Sequence, residues 1–192
     1  MLNPSISQYH TRKHLLISTR LADRLPVPVA ASSLLQVPMI RSILRPGQSI
    51  GILTFDGDVL GADVLKAINI PDTSDLHIKG VPKEGNMRRY IRDGAPYIHH
   101  TLSAELIQAA RELLKDQPTI AVLLLECTQF PPFAIDLQRA LRMPVYDVVT
   151  LAKWFYSGLV SFPFPEWEEV DRVEALIETA VEDLPARVFS NA

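Results

Sequence analysis

The run Ile120-Ala121-Val122-Leu123-Leu124-Leu125 constrains the fold more than any other stretch of this chain. Consecutive apolar residues without polar alternation read as a strand covered on both faces, the situation of a strand in a parallel sheet flanked by helices. The run closes at Glu126-Cys127-Thr128-Gln129 and then meets Phe130-Pro131-Pro132, so its carboxyl end opens into a loop that leads to a helix. Ligands of open α/β sheets bind outside the carboxyl ends of the strands. Cys127 therefore stands either at a reactive centre or at the lip of a core, where a free cysteine is a common small hydrophobe.

Elsewhere, short apolar runs alternate with helical periodicity, the mark of βαβ units and so of an α/β fold. Residues 26–31 read as a short strand ending at Ser32-Ser33, and residues 34–44 as a helix despite Pro38. A second strand covers Ser49–Thr54, followed by the loop Phe55-Asp56-Gly57-Asp58 and a helix over residues 61–68. Residues 76–81 form a weaker strand, and the charged stretch 82–100, which has no clean period, reads as loop plus partial helix. From Ser103, Leu106, Ala109, Ala110, Leu113 and Leu114 fall on one helical face until Asp116-Gln117-Pro118 stops it. After the Cys127 strand come a helix over 132–141, a short strand over 145–148 and a helix through Trp154 and Phe155. Ser161-Phe162-Pro163-Phe164-Pro165 is a proline-broken linker, and residues 166–184 an acidic amphipathic helix.

Composition narrows the function classes. The 192 residues can bury a core without staples, and a single cysteine forbids an intramolecular disulfide or a multi-cysteine zinc site, as fits a reducing compartment. The cytoplasm is the expected location. A net charge of −3 with scattered Lys and Arg gives no footprint for nucleic acid. The apolar runs are too short for a membrane span, and the N-terminus lacks the apolar stretch of a signal peptide.

Three strand ends carry small polar groups: Ser32 and Ser33, Thr54 and Asp56, Cys127 and Thr128. Converging at one sheet edge, they would offer hydroxyls, backbone N–H groups and a thiol to a carboxylate or oxyanion. Equally, Ser, Thr and Asp are common helix N-caps and would stand at such junctions without any ligand. A helix start just after Cys127 would lower the pKa of its thiol and make it a usable base. Glu126 alternates to the other face of the strand and is expected to cap or pair. His99-His100 lack a carboxylate or cysteine at ligand spacing, so no metal is expected. Neither a GxGxxG nor a GxxxxGK[ST] phosphate loop nor a GxSxG elbow occurs.

Four stretches in order, namely residues 27–38, Gly51-Ile52-Leu53-Thr54-Phe55-Asp56, residues 125–132 around Cys127, and residues 144–150, together resemble the aspartate/glutamate/hydantoin racemase superfamily. That resemblance covers about residues 15 to 159. It implies two similar parallel-sheet α/β lobes facing each other across a cleft, no cofactor, and a thiol from each lobe on either face of the substrate's α-carbon. Cys127 matches the second-lobe thiol, the acid/base. Thr128, Thr54, Asp56, Ser32 and Ser33 match the cradle of a small carboxylate or amino-acid substrate, with Asp56 either on a substrate amino group or capping a helix.

The first-lobe cysteine has no counterpart. Thr11 stands near its place, within residues 1–14, a segment that is unlike the family and precedes a helix over residues 15–24. The expected organisation is a partial first lobe over 1–47, a second lobe over 48–152, and C-terminal helices and linker over 153–192 packing back on the body. A racemase-like protein is the leading expectation. Truncation or a misassigned start, a one-cysteine decarboxylase-like enzyme, and an inactive carboxylate-binding protein remain beside it, because one thiol serves one face and an unassisted hydroxyl cannot replace the second. An unpaired sheet edge in the incomplete lobe also favours a homodimer or low solubility.

Overall fold

The computed structural model describes residues 21–160 of the chain. The expected features over residues 1–14 and 161–184, Thr11 included, lie outside them, as does most of the helix over 15–24, of which Leu21 and Ala22 are helical. The chain divides into two compact units, residues 1–153 and 154–192, and the sheet belongs to the first.

Four parallel strands, β1 (Ser49–Thr54), β2 (Leu76–Gly80), β3 (Ile120–Leu125) and β4 (Val145–Tyr146), stand in the order β2-β1-β3-β4. The α/β expectation holds, and the apolar run Ile120–Leu125 is a central strand. Side chains of β1 and β3 alternate between two cores, as the period of a strand requires. Ile50, Ile52, Val122 and Leu124 face one core; Leu53, Leu123 and Leu125 face the other. The first core is covered by α1 (Val37–Ile43) and α2 (Ala62–Ala67). The second lies under α3 (Asn86–Asp93), α4 (His99–Asp116) and α5 (Ala134–Leu141). A final helix, α6, spans Val148–Leu159.

Local chemistry explains the boundaries. Pro38 sits in the first turn of α1, where a missing N–H costs nothing. A 3₁₀ turn, Ser33–Gln36, precedes it. Gly94 ends α3 with φ 68°, the left-handed conformation glycine adopts without strain. Asp147 starts α6 through a reciprocal cap: its carboxylate accepts from Val149 and Thr150 N–H at 2.8 and 2.9 Å, while Thr150 Oγ1 accepts from Asp147 N–H at 2.9 Å.

Two expectations are corrected. Residues 26–31 pair with no strand, and among the described residues the segment 21–47 contributes none to the sheet. Pro26 and Pro28 lack the N–H donors that a ladder needs, so apolar composition there does not make a strand. In the stretch read as loop, α3 is a full helix. Glu105 of α4 holds its start, with Oε1 accepting from Met87 N–H at 3.0 Å and Oε2 accepting from Asn86 N–H.

Candidate functional site

Parallel strands bring their carboxyl ends to one edge, and the candidate residues gather there. Glu126 N–H donates to Leu53 O at 2.8 Å and Val81 N–H to Thr54 O at 3.1 Å, extending the ladders past the ends of β1, β2 and β3. Thr54 and Glu126 share the parity of Ile52 and Leu124, and they meet: Thr54 Oγ1 donates to Glu126 Oε2 at 2.7 Å. Glu126 thus pairs across the strands. Phe55 and Cys127 share the opposite parity and join the other core.

Each cradle candidate already has work inside the protein, Thr128 excepted. Ser33, buried, donates from Oγ to Leu125 O at 2.9 Å, fastening the 3₁₀ turn to the end of β3. Ser32 caps that turn, its oxygen accepting from Leu34 N–H at 3.3 Å, which leaves its own hydroxyl proton out of that bond. The next residue but three, Gln36, reaches Asp147 O at 2.8 Å and accepts from Thr150 Oγ1 at 2.8 Å, tying the turn to the end of β4. Asp56 is buried, and its Oδ1 accepts from Asp58 N–H at 3.2 Å in a local turn; among the described residues it caps no helix. Thr128 is exposed on the loop after Cys127.

Cys127 sits in a turn closed by Phe130 N–H donating to Cys127 O at 3.0 Å. The 3₁₀ turn that follows covers Pro131–Phe133, and α5 starts only at Ala134. A thiolate at a helix N-terminus was the expectation; the two prolines withhold the N–H groups such a site would use. Burial, against a backbone hydrogen bond from Gln129 and with Glu126 alongside, pushes the thiol up from 9.0 to about 12. The resting group is therefore a neutral thiol, a proton donor first.

Two arrangements go beyond what the sequence suggests: Arg88 gives no signal there, and His99 stands without its partners. Arg88, in α3, is buried: Nη2 donates to Phe55 O at 3.1 Å, lies 3.5 Å from Asp56 Oδ2, and its guanidinium covers the Phe55 ring at 4.7 Å. The second is a chain along the starts of α4 and α5. Tyr97 Oη meets His99 Nδ1 at 2.7 Å, His99 Nε2 meets Asp136 Oδ2 at 2.7 Å, and Ser103 Oγ donates to the same oxygen at 2.9 Å. The Ser103 hydroxyl, then His99, hold the Asp136 carboxyl below its ordinary value, and the His99 ring stacks on Phe133 at 5.0 Å. Among the described residues no group of three or more His, Cys, Asp and Glu is placed to hold a metal ion.

A thiol at the carboxyl end of a central strand, inside an all-parallel α/β sheet, defines the class of site. No protein-family model matches the chain. It is 26% identical over 139 residues to a dimethylsulfoniopropionate lyase of Durusdinium sp. clade D, covering 71% of this chain and 46% of that protein. It is 24% identical over 143 residues to dimethylsulfoniopropionate lyase 5 of Emiliania huxleyi, covering 71% of this chain and 28% of that one. The chain thus spans less than half the length of these curated relatives. Among solved structures it is similar to a glutamate racemase isoform of Bacillus anthracis, with TM-score 0.46, 15% identity, and coverage of 81% of this chain and 66% of that one.

Proposed function

We propose that this chain carries the thiol half of a cofactor-independent site that moves a proton at the carbon next to a carboxylate, and that the reaction is an elimination of the lyase type. The observation that carries the reading is Cys127, a lone thiol at the carboxyl end of β3 beside the Thr54–Glu126 pair. Racemisation asks for an acid and a base on opposite faces; elimination asks for one base on one face. The one thiol at this sheet edge suits the second, and so does the lyase activity for which its relatives are named.

For dimethylsulfoniopropionate the step balances as follows. The Cys127 thiolate takes a proton from the carbon beside the carboxylate. That C–H electron pair becomes the new C=C bond, the C–S bond breaks, and its pair leaves on sulfur as dimethyl sulfide, with acrylate as co-product. The thiol then returns its proton to solvent. A thiol pushed up to about 12 is scarcely ionised at neutral pH. A sulfonium cation bound beside it favours the thiolate and lowers that value, coupling deprotonation to the presence of substrate. In this reading Glu126 faces the cation, and Ser32, Ser33, Thr54, Asp56 and Thr128 line the surrounding cradle. A small-molecule carboxylate is the partner this site calls for.

Headspace measurement of dimethyl sulfide tests the reading: the wild-type chain releases it from dimethylsulfoniopropionate, and C127S reduces the rate by about three orders of magnitude or more, as loss of a catalytic proton carrier does. In parallel, the α-proton of aspartate or glutamate is followed in D₂O. Cysteine-dependent exchange without dimethyl sulfide would return the site to racemase chemistry. Neither signal, in a folded chain, would sink the proposal.

A further inference from the structure

Among the described residues, one buried side-chain polar atom has no hydrogen-bond partner: Nε of Arg88. Buried polar groups are nearly always paired, so an orphan of this kind calls for an explanation. Here the orphan belongs to a cation. A guanidinium carries five N–H donors, and among the described residues the hydrogen bond it makes is the one from Nη2 to Phe55 O at 3.1 Å. Asp56 balances its charge from 3.5 Å, longer than the 2.7–2.9 Å typical of a charge-assisted bond. One flat face is covered by Phe55, and the side chain keeps 7% of its exposure.

Position supplies the second half of the argument. Glu105 clamps the start of α3, which holds Arg88 against the corner Phe55-Asp56. That corner follows Thr54 directly, and Thr54 is bonded to Glu126, the neighbour of Cys127. Phe55 and Cys127 pack into the same core. The guanidinium therefore stands one strand away from the thiol, at the same edge of the sheet. Ser33 and Thr54, the hydroxyls that sequence suggests for a carboxylate, spend their protons on Leu125 O and Glu126. Neither brings positive charge.

We infer that Arg88 is the carboxylate anchor of this site: the guanidinium edge that carries Nε donates to one end of a small carboxylate, while Phe55 and Asp56 fix its plane. The inference rests on the reading of Cys127 above for the identity of the ligand, and on the orphaned donor for its place. Arginine, with its planar fork of donors, suits this task where lysine would not.

The probe is propionate, a carboxylate of the right size with no leaving group, titrated into the protein labelled with ¹⁵N-arginine. The Nε–Hε cross-peak of Arg88, assigned through its own backbone, shifts saturably with propionate and stays still with propionamide. An unmoved peak at propionate concentrations that protect Cys127 from alkylation overturns the inference. With dimethylsulfoniopropionate, R88K raises KM about tenfold or more, the loss expected for a charge-assisted bond, and changes kcat far less. An unchanged KM in R88K overturns it too. Should these variants fail to fold, the wild-type titration decides alone. A moving cross-peak without turnover keeps the anchor and discards the elimination; turnover with R88K indistinguishable from wild type does the reverse.

Discussion

An ordinary thiol, with a pKa of 9.0, ionises within reach of physiological conditions, whereas burial holds that of Cys127 up to about 12. The folded state thus binds this proton more tightly than the unfolded chain does. The stability so gained is complete below pH 9, where both states are protonated. It is lost as pH rises from about 9 to about 12, because the unfolded chain releases its proton first. The full span corresponds to about 4 kcal/mol. Comparing wild type with C127A by urea unfolding should show the difference shrinking across that window; a constant difference would mean that burial does not govern the thiol. Alkylation by iodoacetamide in the absence of ligand should keep accelerating past pH 9, where a free thiol levels off. Arg88 offers a contrast at the same scale: its burial leaves one donor, Nε, without a hydrogen-bond partner.

Among the elements, the closest backbone-to-backbone approach at a glycine is the contact between the loop after β1 and the end of β2. A Cβ on Gly80 would lie 2.5 Å from Gly57 N, and one on Gly57 would lie 2.9 Å from Gly80 N. Both obstacles are backbone, which cannot step aside as a flexible side chain does. Gly80→Ala should cost about 1–3 kcal/mol, the range for overpacking, and disturb the Asp56 corner. Gly61, which meets nothing within 4 Å, is the control: Gly61→Ala should lie within about 1 kcal/mol of wild type. Differential scanning calorimetry of the pair checks both. The same scale shows what could be read from the sequence. β1, β3 and α4 announce themselves because an apolar run or an apolar face is their whole signature. By contrast, α3 hides, since Arg88, Arg89 and Arg92 make it look like solvated loop while Met87 and Arg88 are buried. A buried arginine is indistinguishable by residue type from a surface one. Residues 26–31 mislead in the other direction, apolar enough for a strand yet short of donors. Thr54, Asp56, Cys127 and Thr128 were legible as residues at strand ends, whereas Ser32 and Ser33 reach the same edge through a 3₁₀ turn, and which hydroxyls spend their protons internally was not legible.

At the scale of the molecule, the two cores on either side of one sheet leave the carboxyl edge as the place where distant parts of the chain meet. Among the described residues no helix is long and apolar enough to cross a membrane. The bonds along that edge join remote positions: Thr54 to Glu126 across 72 residues, Ser33 to Leu125 across 92, and Gln36 to Asp147 across 111. Contacts between positions so far apart demand large loop closures and form slowly. Cys127 can lose its solvent only when they have formed. In refolding from denaturant, with alkylating pulses at successive delays, the thiol should stay reactive through the early collapse and become protected in the slowest phase. Protection within the first milliseconds would show that the edge assembles locally instead. The lone cysteine then serves the experimenter as a timer, reporting by one irreversible label the moment at which the whole chain has come together.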